Sequence, residues 1–153
     1  MDESERYDAF VNGLKDAYPE MYEDVNCGIY IGEGWYKIIN QLSDVIHTHV
    51  KWNNKNREYR LGDSRFTEDQ IPEELEYPKV RQIKEKFGGL RFYYDGGDDY
   101  IAGAVVMAEM WAAHTCEKCG ETGTRRAGGW IRTLCDKHED EYQKHQNRKN
   151  ETN

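Results

Sequence analysis

The residues with the most distinctive chemistry lie in the last quarter of the chain, where three of its four cysteines occur. The stretch HTCEKCGETGTRRAGGWIRTLCDKHED (114–140) pairs Cys116 with Cys119, and Cys135 with His138. Two ligands separated by two residues can bind one ion from a tight turn, and two such turns complete a tetrahedron around zinc. The spacing therefore predicts a Zn²⁺ ribbon with these four ligands.

Other histidines offer alternative ligands, and His114 or His145 could replace His138. His114 lies only two residues before Cys116, which makes it a sterically awkward choice. Catalytic zinc usually keeps one position open for water, whereas four protein ligands leave none. The sequence also lacks the His-x-Glu and Pro-Cys-x-x-Cys patterns of zinc deaminases. We therefore expect a structural zinc, and the alternative is three buried free thiols.

The rest of the chain must position this ribbon, and its patterns predict a small α+β fold. Residues 1–115 are expected to form the core and residues 116–153 the ribbon module with a C-terminal helix, packed as one domain. Apolar residues at helical and alternating spacings predict the core elements: helices at 5–18, 34–52 and 99–115, and a β-hairpin at 80–94. Residues 51–78 lack periodicity and contain two prolines, so they predict a long loop with an insertion at 53–78.

The predicted hairpin, VRQIKEKFGGLRFYY, has Gly88-Gly89 as a two-residue turn. In that register Phe87 joins the core and Lys86 lies opposite Arg91. Like charges directly opposite each other are destabilising, so the second face is a candidate site for an anion or an acidic partner. That face contains Lys84, Lys86, Arg91 and Tyr93. The alternative is a solvated face that protects a sheet edge.

Three further segments are weaker candidates for binding. Arg125 and Arg126 precede Gly128-Gly129 and could form a phosphate cradle, with Trp130 available to stack on a base. KWNNKNREYR (51–60) mixes basic and aromatic residues, which suits single-stranded nucleic acid, although a polar surface is the simpler interpretation. Gly32-Glu33-Gly34 resembles the start of a dinucleotide loop but is better explained as a turn before a helix.

Composition and charge limit the classes of partner. The net charge of −8 argues against non-specific binding to duplex nucleic acid, which depends on cations that neutralise phosphates. No apolar run reaches about 18 residues, so no membrane span is expected. The acidic N-terminus MDESERYDAF does not resemble a signal peptide, and a cytoplasmic location is expected. In a reducing compartment, clustered cysteines favour metal over disulfide.

Three segments together resemble a group of short proteins carried by bacteriophages: GEGWYKII (32–39), QIKEKFGGLRFYY (82–94) and the CEKCG…GWIRTLCDKH ribbon (116–138). The resemblance implies a zinc ribbon and expression in a bacterial host, but no specific activity. Phage proteins of this size often act on host machinery. We therefore expect a non-catalytic binding protein that docks on a host protein, such as a defence effector, or sequesters a nucleotide signal. The alternative is a nucleic-acid-binding factor or a metal-dependent nuclease.

Overall fold

Helices and short strands are mixed along the chain in the computed structural model, which describes residues 1–151. The helices are α1 (Glu3–Ala17), α2 (Pro19–Tyr22), α3 (Tyr36–Leu61), α4 (Asp99–Ala112) and α5 (Asp136–Glu151). The strands are β1 (Ile29–Tyr30), β2 (Lys79–Lys86), β3 (Gly89–Asp95), β4 (Thr124–Arg126) and β5 (Arg132–Leu134). Two 3-10 turns lie at Glu33–Trp35 and Glu68–Gln70. The predicted α+β class is confirmed.

The core lies between a three-stranded sheet and the helices that cover one of its faces. The strand order is β1-β2-β3, with β1 parallel and β3 antiparallel to β2. Helix α3 packs against α4, and α4 packs against β3. The largest fully buried side chains include Trp35 and Ile39 on the helical side and Ile83 and Leu90 on the sheet. Strands β4 and β5 form a separate two-stranded sheet in the ribbon.

Helix α3 is longer than predicted, because it continues through residues 53–61 instead of ending near Trp52. These last turns have little apolar periodicity, so the sequence pattern alone indicated a loop. Their polar side chains bind the returning segment: Asn54 exchanges two hydrogen bonds of 2.9 Å with the backbone of Leu75. Asn53 and Arg57 donate to further carbonyls of that segment at 2.8 Å. Tertiary hydrogen bonds therefore extend the helix, and the predicted loop is limited to the stretch after Leu61.

The β2–β3 hairpin forms where predicted, but its turn is Phe87-Gly88 and not Gly88-Gly89. Phe87 and Gly88 have positive φ angles of 52° and 75°, as a two-residue primed turn requires. The turn is therefore one residue earlier than predicted and each cross-strand partner changes by two residues, so Lys84 lies opposite Arg91, and Lys86 lies opposite Gly89. The prediction that Phe87 joins the core is wrong, since its side chain is exposed at the turn.

Asp98 begins helix α4 and also ties it to α3. Its side chain accepts a hydrogen bond from the Ile101 amide at 3.1 Å and so caps the N-terminus of the helix. The second carboxylate oxygen lies 2.7 Å from Nε2 of His49, whose ring stacks on Tyr100. Burial alone would raise the pKa of Asp98, but the contact with His49 and the Ile101 amide bring it below its usual range. The ionised form of Asp98 is therefore stabilised in the folded protein.

The Asp98→Ala variant is expected to lose about 1–2 kcal/mol of unfolding free energy at neutral pH, through loss of the cap and of the His49 contact. Because folding lowers the pKa of Asp98, its stabilisation is present above the ordinary carboxyl pKa and is lost as the pH falls through the folded value. Urea unfolding at neutral pH and near pH 3 measures both effects. Asp99→Ala is the control, and equal losses in the two variants would contradict this role for Asp98.

Candidate metal centre

The first pair of candidate ligands lies in a tight turn that follows α4. The amide of Gly120 donates to the carbonyl of Cys116 at 2.9 Å, and the amide of Cys116 donates to the carbonyl of Glu121 at 2.7 Å. Gly120 has a φ of 81°, a left-handed conformation that favours glycine. These bonds close the turn around Cys116 and Cys119, so that both thiols can face the same point.

The second pair lies where β5 leads into α5. Cys135 directly follows β5, and His138 lies in the first turn of α5. The amide of Glu139 donates to the carbonyl of Cys135 at 3.0 Å, which begins the helix. Strands β4 and β5 form a hairpin between the two pairs, joined by the loop 127–131. The hairpin thus returns the chain from the first pair to the second.

The four predicted ligands meet, and their donor atoms all lie within 4.8 Å of one another. The Sγ atoms of Cys119 and Cys135 are 3.8 Å apart. Nδ1 of His138 lies 3.2 Å from Sγ of Cys135 and 3.5 Å from Sγ of Cys116. A tetrahedron with metal–sulfur bonds of about 2.3 Å has edges of about 3.8 Å, so these separations suit one tetrahedral ion. The Cys₃His cluster can therefore hold a metal ion.

The second ring nitrogen of His138 points away from the thiols and has an acidic neighbour. Nε2 lies 3.8 Å from a carboxylate oxygen of Glu141 one turn further along α5. This separation exceeds a normal hydrogen bond, whereas Nδ1 is the ring nitrogen that faces the thiols of Cys116 and Cys135. His114 and His145 do not join the cluster, which within residues 1–151 consists of the three cysteines and His138.

The thiols influence each other's ionisation when no cation is present. Burial alone would raise the pKa of Cys116, but backbone amides and the contact with His138 lower it to about 7. The pKa of Cys119 rises to about 11, from desolvation first and then from its contacts with Cys116 and Cys135. Ionisation of one thiol therefore disfavours ionisation of its neighbour, and a divalent cation would offset the repulsion between the two thiolates.

The turn formed by Gly32-Glu33-Gly34 packs directly against the first ligand pair, a contact that the sequence did not reveal. The amide of Gly34 donates to the carbonyl of Glu117 at 2.9 Å. The indole of Trp35 is fully buried and donates to the carbonyl of Thr115 at 2.8 Å. A side-chain carbon on Gly34 would lie 2.0 Å from the Cys116 carbonyl oxygen, so only glycine fits there. This segment joins the core to the turn that contains Cys116 and Cys119, and it does not act as a dinucleotide loop.

The other end of the ribbon rests on the β2–β3 turn. The hydroxyl of Thr133 donates to the carbonyl of Gly88 at 2.6 Å. A side-chain carbon on Gly88 would lie 3.2 Å from the backbone of Arg132 and from the side chain of Ile131. The ribbon is therefore fastened to the core at two places, and the metal cluster lies beside the first.

The basic residues predicted on the hairpin share its exposed face in the observed register. Lys84 lies directly opposite Arg91. The Lys84 ammonium is 5.7 Å from the centre of the Tyr93 ring, a cation–π contact. Among residues 1–151, neither Lys84, Lys86 nor Arg91 forms an ion pair with a carboxylate. This part of an acidic protein therefore presents unneutralised positive charge.

The basic residues predicted on the ribbon have different surroundings. The guanidinium of Arg126 donates to the carbonyl of Leu134 at 3.1 Å and to Asp136 at 2.7 Å, so its donors serve the junction of β5 and α5. Arg125 is exposed. Trp130 is exposed at the loop and lines a cavity with Lys86 of the hairpin. The structure thus brings Trp130 to Lys86, whereas Arg126 is already engaged.

Glu117 and Arg132 were not among the predicted site residues. Glu117 lies between two cysteine ligands and is 8% exposed, with one carboxylate oxygen 3.6 Å from the Arg132 guanidinium. Burial raises the pKa of the Glu117 carboxyl, the Arg132 charge opposes that rise, and Glu85 adds to it. Neither the charge pattern nor the periodicity of the sequence distinguishes these two residues, because their burial depends on the docked ribbon.

Comparisons of the chain with protein-family models, curated proteins and solved structures found no match. Across residues 1–151, no helix combines the length and apolar character needed to cross a bilayer. The site must therefore be interpreted from its own geometry.

Proposed function

We propose that Cys116, Cys119, Cys135 and His138 bind one Zn²⁺ ion in a structural role. The supporting observation is that three sulfurs and one imidazole nitrogen lie at separations suited to a tetrahedral ion. Thiolate and imidazole ligands favour zinc over magnesium, calcium or manganese, which prefer oxygen ligands. The four protein donors would complete the coordination shell.

A complete shell argues for a binding protein and against a metal-dependent nuclease. A metal that activates water needs an open position, and four protein ligands leave none. Cobalt(II) replacement tests this directly, because tetrahedral cobalt with three thiolates absorbs strongly in the visible region. An intense tetrahedral spectrum that does not change when azide is added is expected. A weak five-coordinate spectrum, or one that azide alters, would support a catalytic site.

We infer further that the exposed face of the β2–β3 hairpin binds an acidic partner. The supporting observation is that Lys84 lies directly opposite Arg91, and that within residues 1–151 neither forms an ion pair with a carboxylate. Like charges across a ladder cost stability, so their placement in a chain of net charge −8 suggests a role beyond folding. The resemblance to phage-borne proteins makes an acidic host protein, such as a defence effector, the proposed partner.

Neutralising Lys84 and Arg91 is expected to raise the stability of the protein and to weaken its binding to polyanions. The Lys84→Gln/Arg91→Gln variant should gain up to about 1 kcal/mol of unfolding free energy, because the opposed charges are removed. It should elute from a heparin column, a model polyanion, at lower salt than the wild type. Lys15→Gln/Lys37→Gln, on helices α1 and α3, changes the net charge equally and serves as the control. If both double variants elute at the same salt, the hairpin face has no special affinity for anions.

A further inference from the structure

A cavity of about 520 Å³ lies between the ribbon and the edge strand β1. Its lining includes Tyr30, Glu85, Glu117, Trp130 and Arg132. The volume falls within the range of small-molecule binding sites. None of the four metal ligands and none of Lys84, Arg91 or Tyr93 lines it, so this cleft is distinct from the sites proposed above.

The cleft contains a buried carboxylate that lacks hydrogen-bond donors. Glu117 is 8% exposed, and its Oε2 atom has no partner among the described residues. Its one charged contact, from Oε1 to the Arg132 guanidinium, is 3.6 Å long and exceeds a normal hydrogen bond. Buried carboxylates are ordinarily satisfied, because leaving one without donors costs free energy. Oε2 therefore has unused acceptor capacity, and because this atom is buried, a ligand would reach it only when the Glu117 carboxylate turns toward the cleft.

Arg132 supplies the complementary feature beside this carboxylate. Its Nε is buried and finds no acceptor in the described part of the chain. A cationic ligand would be repelled by the Arg132 guanidinium, and an anionic ligand would be repelled by the carboxylates of Glu117 and Glu85. A neutral ligand with adjacent donors and acceptors would satisfy both groups.

Aromatic rings at the cleft indicate that such a ligand is flat. The side chain of Trp130 is 62% exposed and that of Tyr30 is 65% exposed, although both line the same cavity. Exposed aromatic rings beside a cavity provide surfaces on which a nucleobase can stack. A planar heterocycle could therefore place one face on Trp130 or Tyr30 and one polar edge on Glu117 and Arg132.

We propose that this cleft binds a guanine base. With the Glu117 carboxylate turned toward the cleft, the ring N1–H and the exocyclic amine of guanine are neighbouring donors for its two oxygens, and the adjacent O6 accepts from Arg132. Adenine has only one donor group on its corresponding edge, so it would leave a carboxylate oxygen unsatisfied. The proposal goes beyond the structural metal and the hairpin face, since neither contributes a side chain to the contact.

Isothermal titration of the metal-loaded protein with nucleosides tests the proposal. Guanosine is expected to bind with a dissociation constant below about 1 mM. Inosine, which lacks the exocyclic amine, and adenosine should each bind about tenfold more weakly or worse. In Glu117→Gln the amide replaces one acceptor with a donor, and guanosine affinity should also fall by about tenfold or more. No guanosine binding at about 1 mM, or equal affinity for adenosine, would overturn the proposal.

Two matched variants separate stacking from folding. Trp130→Ala should weaken guanosine binding by about tenfold, whereas Trp52→Ala, which removes an equally exposed indole from α3, should leave it unchanged. Metal content and melting temperature are measured for every variant, so that an unfolded ribbon is not mistaken for a lost contact. If folded, metal-loaded Glu117→Gln binds guanosine as the wild type does, Glu117 and Arg132 only stabilise the ribbon and the proposal fails.

Discussion

Cys119→Ser is expected to lower the free energy of unfolding by more than about 4 kcal/mol in the presence of zinc, because it removes one of four ligands from a structural site. Cys119 is exposed, so a serine there loses little packing and the effect must come through the metal. Urea unfolding with and without EDTA measures it. The wild type should lose stability in EDTA, whereas the variant, already without tightly bound metal, should change little.

Cys27→Ser provides the matched control for this experiment. Cys27 is also exposed and also a free thiol, but it precedes β1 and lies outside the metal cluster. The variant should remain within about 0.5 kcal/mol of the wild type and keep the same response to EDTA. Similar small losses in both cysteine variants would show that the cluster does not hold a stabilising metal.

Gly34→Ala should be almost as disruptive, although it removes no ligand. The added carbon would lie 2.0 Å from the Cys116 carbonyl oxygen, and 2.6 Å and 2.8 Å from the amide nitrogens of Gly120 and Cys119. All three are backbone atoms of the turn that contains Cys116 and Cys119, so they cannot move aside without breaking that turn. We expect a loss of about 3 kcal/mol or more, together with weaker zinc binding. Unfolding and zinc-competition titrations measure the two effects.

Gly13→Ala is the control for this clash. Gly13 lies in α1 with no atom within 4 Å of the added carbon. Alanine is the better helix former, so this variant should gain about 0.5–1 kcal/mol. A loss below about 1 kcal/mol in Gly34→Ala would contradict the close docking of the Gly32–Gly34 turn on the metal site.

The features predicted correctly from the sequence are those that depend on local spacing. Two residues between paired ligands and apolar positions three and four apart each act within one or two turns. The clustering of Cys116, Cys119, Cys135 and His138 and the buried face of α3 therefore follow from the sequence alone.

The errors concern features that depend on distant parts of the chain. The end of α3 is stabilised by bonds from Asn53 and Asn54 to residues about twenty positions away, which no periodicity records. The hairpin register depends on Gly88, which fits closely against Arg132 of the ribbon. In the sequence, Glu117 looks like any charged residue between cysteines, because its burial arises only in the folded ribbon. Sequence patterns do not encode such contacts directly, so the cleft and the docking turn required the structure.

The most direct test of the structural zinc is to measure the metal content of the purified chain while a chelator removes the metal, and to follow unfolding in the same samples. One zinc ion per chain is expected, and the folded ribbon should be lost in step with the zinc. Near-ultraviolet circular dichroism reports the ribbon through Trp130 and the core contact of Trp35. Iron in place of zinc, or a chain that releases its zinc and keeps its spectrum and melting temperature, would contradict a structural zinc site.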